Sequence, residues 1–113
     1  MREILSNIAY VDGIAVETFE TEILDACITK FKSGTTGYKG GDSGHGCRTL
    51  LEIENLASTD MRVSVLDEND NILFDDDYIS KVRLSFGGDA ELSNVIEGLK
   101  FMIQVLEDQK DED

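Results

Sequence analysis

The chain has 113 residues, 41% of them hydrophobic and 30% charged, the size and balance of one ordinary globular domain. Its 24 acidic residues outnumber 10 basic ones, and the formal net charge of −14 argues against direct binding of nucleic acid or anionic membranes. No apolar run reaches the length of a membrane span or a signal segment, and Cys27, Cys47 and His45 fall short of the four ligands of structural zinc, so the expectation is a cytoplasmic protein in a reducing compartment, without metal or cofactor.

Residues 3–10 and 13–19 flank Asp12-Gly13, a hairpin turn signal, and are expected to pair as strands; a short helix followed by one strand is the competing reading. Over 21–32 the apolar spacing predicts a helix, with Ile23, Leu24, Cys27, Ile28 and Phe31 on one face, Thr21 as N-cap and Gly34 beyond the end. Cys27 would then belong to the core, and both thiols read as buried, a regulatory disulfide being the alternative. Residues 33–46 have no apolar periodicity and are dense in glycine, which predicts a long loop.

Residues 47–54 and 61–66 alternate as strands, 67–71 form a turn, Ile72 and Phe74 continue into a short strand, and 79–86 alternate again. Gly87-Gly88-Asp89 ends the sheet, with Asp89 available to cap a helix over 90–107 that carries Leu92, Val95, Ile96, Leu99, Met102, Ile103 and Leu106 on one stripe. The expected fold is α+β: a two-layer sandwich in which an antiparallel sheet of four to six strands is packed by two helices, about 21–32 and 90–107. Residues 1–107 make the single domain and 108–113 an acidic disordered tail, whose charge opposes the helix dipole.

The loop and its exit carry most of the functional signal. Residues 30–48 hold Lys30, Lys32, Lys39 and Arg48 against Asp42, a net +3 that leaves −17 for the rest of the chain. Glycines let backbone amides converge into an anion-binding nest. Arg48 offers a bidentate phosphate clamp, Tyr38 a stacking ring, His45 a donor, and Ser43, Thr35 and Thr36 hydroxyls. The expected ligand-binding set is Tyr38, Lys39, Gly40, Gly41, Asp42, Ser43, Gly44, His45 and Arg48. A flexible surface loop with balancing charges accounts for the same residues.

The string Gly41-Asp42-Ser43-Gly44 resembles the short motif around the nucleophile of chymotrypsin-like serine proteases. The resemblance covers four residues, and a His two positions from the Ser is poorly placed as its base, so no catalytic residue is assigned. His45 oriented by Asp42 is the remaining acid–base arrangement. No phosphate-loop motif is present, because a strand rather than a helix follows the glycines. Asp67, Asn69 and Asn71 match the first positions of a calcium loop, but Ile72 stands where Gly is required and Tyr78 where Glu is required, and a hairpin turn explains the segment better.

Three functions follow, in order. The first is a non-enzymatic binding module that holds, and so sequesters, a small anionic, nucleotide-like ligand in residues 34–48, with homo-oligomerisation expected around it. The alternative is an acidic protein inhibitor or DNA mimic, of the style encoded by viruses and mobile elements, that blocks a basic protein surface. A small enzyme using Ser43, His45 or Asp42 ranks last.

Overall fold

The computed structural model describes residues 2–77 and 79–111. It is α+β, with a five-stranded antiparallel sheet, a two-stranded sheet and one C-terminal helix. Strands β1 (Ile4–Val11) and β2 (Ile14–Leu24) form the expected first hairpin. Asp12 and Gly13, at φ 51° and 75°, make the left-handed two-residue turn that suits strand twist.

The expected helix over 21–32 does not form, and the molecule has one helix rather than two among the described residues. That segment is the end of β2, a turn over 25–27, and β3 (Ile28–Thr35). Thr21, expected as an N-cap, lies in β2 and donates its hydroxyl to the Glu3 carbonyl at 2.8 Å. Cys27, expected in the core, sits half-buried in the turn. The three-residue turn leaves the alternation in phase, with Ile23 and Phe31 on one face of the sheet, and the four-residue steps from Ile23 to Cys27 to Phe31 fit a helical face as well as an alternating one. Thr18, Thr21, Ile23, Ile28 and Thr29 are β-branched and favour the pleated strand. Pairing also sets Lys32 opposite Glu20 and Lys30 opposite Glu22, contacts no helix could make.

Strand β4 (Arg48–Ala57) pairs with β3, and the chain then leaves the sheet as a hairpin of β5 (Val63–Leu66) and β6 (Ile72–Asp76). It returns as β7 (Lys81–Gly87) on the free side of β4, giving the order β1-β2-β3-β4-β7. Helix α1 (Asp89–Lys110) follows. It runs three residues past the expected end at 107; of the expected tail, Glu112 and Asp113 lie outside the described residues, as does Tyr78.

The register sorts the side chains into two contrasting faces. On one, the cross-strand rows read Glu20–Lys32–Glu52–Arg83 and Glu22–Lys30–Glu54–Lys81, so the sign alternates at every step from β2 to β7. Lys30 reaches Glu20 at 3.0 Å and Glu54 at 3.2 Å, and Arg83 holds Glu52 through Nη2 at 2.7 Å and Nε at 2.9 Å. Farther along this face the sheet curls, bringing β1 and β2 toward β4 and closing over Ala9, Val11, Val16 and Leu50, the small buried core.

The opposite, outer face carries one charged side chain among the described strand residues, Glu17. Its large side chains stay open: Ile4, Ile8, Tyr10, Phe19, Phe31, Ile53 and Leu84 are all exposed. Helix α1 lies over the β4–β7 side of this face, with Val95, Leu99 and Met102 across a groove of about 390 Å³ from Leu51, Leu84 and Phe86. The outer sheet over β1–β3 has no described helix upon it. The radius of gyration is 15.7 Å, where a packed domain of this length has about 13 Å, because the helix and the β5–β6 arm stand out from the sheet.

Candidate functional site

The glycine-rich loop is folded against the start of α1, and its amides point at the chain's own carboxylates. Asp89 accepts from the Gly40 amide at 2.7 Å and from the Lys39 and Cys47 amides at 3.1 Å. Glu91 takes the Ser43 amide at 3.0 Å. Asp42 answers from the loop side, its Oδ1 accepting the Ala90 amide at 2.8 Å. Asp89 was expected to cap the helix from outside; instead Gly88 is the N-cap residue without a side-chain cap, Asp89 is the first helical residue, and the capping oxygen comes from Asp42. Acids in the first turn suit the helix dipole, and the loop's amides give them partners on the other side.

Backbone bonds complete the latch. Asp89 donates its amide to the Gly41 carbonyl at 2.7 Å, Gly88 to Cys47 at 2.8 Å, and Gly44 to Gly87 at 2.8 Å. The Cys47 thiol is buried and donates to the Gly88 carbonyl at 3.1 Å. Tyr38 meets Ser93 through their hydroxyls at 2.6 Å. Gly46, at φ 87°, lies so close to the Gly41 carbonyl and the Asp89 carboxylate that a Cβ would strike both.

Arg48 is likewise engaged within the chain. Its Nη2 donates to the Gly44 carbonyl at 2.9 Å, Nη1 to those of Cys47 and Gly46 at 3.1 and 3.3 Å, and Nε to Asp12 at 3.1 Å. It therefore ties the loop to the β1–β2 turn. Lys30 and Lys32, counted with the loop's positive charge, point into the charged face of the sheet instead.

The nine expected site residues are thus brought together at one end of α1, in two groups. Gly40, Gly41, Asp42, Gly44 and Arg48 join through backbone and side-chain bonds that brace the loop. Tyr38, Lys39, Ser43 and His45 are exposed on its rim, where the Tyr38 hydroxyl and the Lys39 and Ser43 amides are bonded to α1 as well. Asp42, the expected orienter of His45, has its carboxylate on the helix. What sequence reasoning missed is Asp89 and Glu91 as partners of the loop, more than forty positions away. Two acids directly after Gly87-Gly88 were the available signal, since they stand in a first helical turn beside a loop rich in free amides.

The Asp89 carboxyl is held below the usual carboxylate range, first by the Lys39 amide and then by those of Gly40 and Cys47. Glu91 is lowered by the Ser43 amide. A depressed carboxyl stabilises the fold above its unfolded pKa and loses that contribution as pH falls through the folded value. The latch should therefore open on the acid side. Asp89→Asn should speed amide exchange at Lys39, Gly40 and Cys47 by about tenfold or more at neutral pH while leaving β2 and β3 amides unchanged. Equal protection in both proteins would mean the carboxylate does not hold the loop.

The second candidate is the β5–β6 arm, which makes its contacts chiefly within itself. Its turn is built by Asp67, which accepts from the Asn69 and Asn71 amides at 2.9 Å and the Asn71 side chain at 3.0 Å. These bonds, led by the Asn71 side chain, lower the Asp67 carboxyl. They occupy the oxygens that a calcium loop would direct at an ion, and among the described residues no group of three or more His, Cys, Asp or Glu is placed to hold a metal.

Residues 60–77 carry seven acids against Arg62, a net −6. Val65, Leu66, Ile72, Leu73 and Phe74 are exposed on the same arm. At least seven of the chain's ten basic residues take part in internal ion pairs, so the outward surplus is negative. No described helix is long and apolar enough to cross a membrane. Comparison with protein-family models, with curated proteins and with solved structures finds no match to this chain.

Proposed function

We propose that this chain is a non-enzymatic protein-binding module that engages a basic protein surface through its β5–β6 arm, and so blocks that surface. The observation that carries the reading is the arm itself: a two-stranded projection with a net −6 and five exposed apolar side chains. A solvated hairpin needs no such apolar content, and two strands alone are marginally stable in water. Acids around an apolar centre match the pattern of a protein interface, in which charge steers the encounter and buried apolar contacts hold it. The glycine-rich loop supports this as the brace that fixes the helix and the β1–β2 turn.

The test is affinity capture on the immobilised chain, in about 0.1 M and about 1 M salt, where the screening length falls from about 10 Å to about 3 Å. A basic partner should be held at the lower salt and released at the higher. Replacing Asp75, Asp76 and Asp77 together with Asn should weaken capture at least about tenfold, and Phe74→Ser should do the same without changing net charge. A partner that ignores both variants would overturn the reading. Co-purified material absorbing near 260 nm, lost on Lys39→Ala, would instead favour an anionic ligand on the loop's rim.

A further inference from the structure

We infer that the chain forms a symmetric homodimer in which the C-terminal half of α1 from each copy covers the β1–β3 part of the other copy's outer sheet face. This does not rest on the arm's function, and it uses a different surface.

Width is the first argument. Five strands at about 4.8 Å span roughly 24 Å, and one helix is about 10 Å across. A single helix over β4 and β7 leaves room on β1–β3 for one more. The chain supplies no second helix of its own among the described residues.

The second argument is chemical. In a chain of net −14, the outer face carries only Glu17 among the described strand residues, while the charged residues of β3, β4 and β7 turn to the other face. The occupant must be apolar and uncharged along a strip about one helix wide. The stripe of α1 has that character and is itself uncovered: Met102 is 52% exposed, Ile103 55% and Leu106 66%. A two-fold axis satisfies both open surfaces at once, since each copy offers one helix and one vacant half-sheet.

Area is the third. Five large apolar side chains on β1–β3 (Ile4, Ile8, Tyr10, Phe19 and Phe31) and three on the C-terminal half of the stripe (Met102, Ile103 and Leu106) are 43–68% exposed, which comes to on the order of 1,000 Å² per copy, against the roughly 800 Å² each partner gives in a stable interface. The acidic arm and the acidic end of α1 then add like charge to like charge. Association should therefore tighten as salt rises, the reverse of the arm's binding to a basic partner.

Sedimentation equilibrium on the full chain tests this. At about 10 µM the unmodified protein should have twice the 12.5 kDa chain mass, and its dissociation constant should fall as salt increases. Phe31→Lys and Leu106→Lys, both at exposed positions, should each raise that constant about 100-fold or more. A monomer at that concentration, or a dimer indifferent to both variants, overturns the inference. Should either variant fail to fold, the unmodified protein decides: its urea midpoint should rise over a roughly 100-fold increase in protein concentration, and a constant midpoint overturns the dimer.

Discussion

Gly88→Ala should destabilise the protein by about 3 kcal/mol or more and lower Tm by more than about 10 °C. Gly88 stands at φ 132° and ψ 155°, a conformation reserved in practice for glycine, and Ala there costs about 1–3 kcal/mol before any contact is considered. Contact adds to that. A Cβ would strike the Glu91 carboxylate, and would come within 2.7 Å of the Ser43 nitrogen and 3.0 Å of the Asp42 Cα. Two of those three atoms belong to the loop's backbone and can yield only if the loop lifts. Lifting it strains the bonds from Ser43 to Glu91 and from Ala90 to Asp42 together. Gly98→Ala is the internal contrast. It lies within α1 with open space at its Cβ, so the same substitution should stabilise by about 0.5–1 kcal/mol. Urea unfolding of the pair gives the comparison. Equal midpoints for Gly88→Ala and the unmodified protein would show that helix and loop do not depend on each other.

The local parts of this fold were legible in the residues, and the non-local parts were not. Asp12-Gly13 specifies its hairpin because the turn conformation and its residues determine each other. The helix that begins near residue 90 announces itself through a stripe repeated over five turns. Residues 61–66 and 79–86 show strict alternation, and their strands follow. The segment 21–32 failed because the four-residue steps from Ile23 to Cys27 to Phe31 satisfy a helical face and an alternating strand alike, and the turn between the strands leaves that alternation in phase. Opposed charges at 20 and 32, and at 22 and 30, mark a hairpin only once its register is known.

The loop shows the same limit. Its net positive charge, counted along the chain, suggested an anion from outside. In space Asp89 and Glu91 supply carboxylates from within, and Lys30 and Lys32 belong to another face. The arm was legible as two strands and a turn. That its neighbours would not fold over it was a question of sheet order, which the alternation of single strands does not contain.

Glu52→Ala should cost about 2–4 kcal/mol, and should also change how stability depends on pH. Glu52 is 4% exposed and lies at the centre of the charged face, with Arg83 bonded to it and Lys32 and Lys81 at 3.8 and 3.7 Å. Burial pushes its carboxyl up, but the Arg83 hydrogen bond and the charges of Lys32, Arg83 and Lys81 outweigh burial and hold it below the usual range. Removing it leaves two rows of cations with one acid fewer. Lys32 is covered and cannot turn to water freely, whereas Lys81 and Arg83 are about half exposed and can, which keeps the cost below that of a fully buried ion triad. The sign with pH is fixed by the direction of the shift. A carboxyl lowered on folding stabilises above its unfolded pKa, and that contribution disappears as pH falls through the lower folded value. The unmodified protein should therefore lose stability on acidification more steeply than Glu52→Ala, and the two curves should converge in acid. Glu52→Leu separates charge from packing: it keeps most of the volume and leaves the cations unpaired, so it should behave like Ala if the ion network governs. A Leu variant as stable as the original at neutral pH would show that the cations find water or Glu54 at little cost, and that shape, rather than charge, holds this face together.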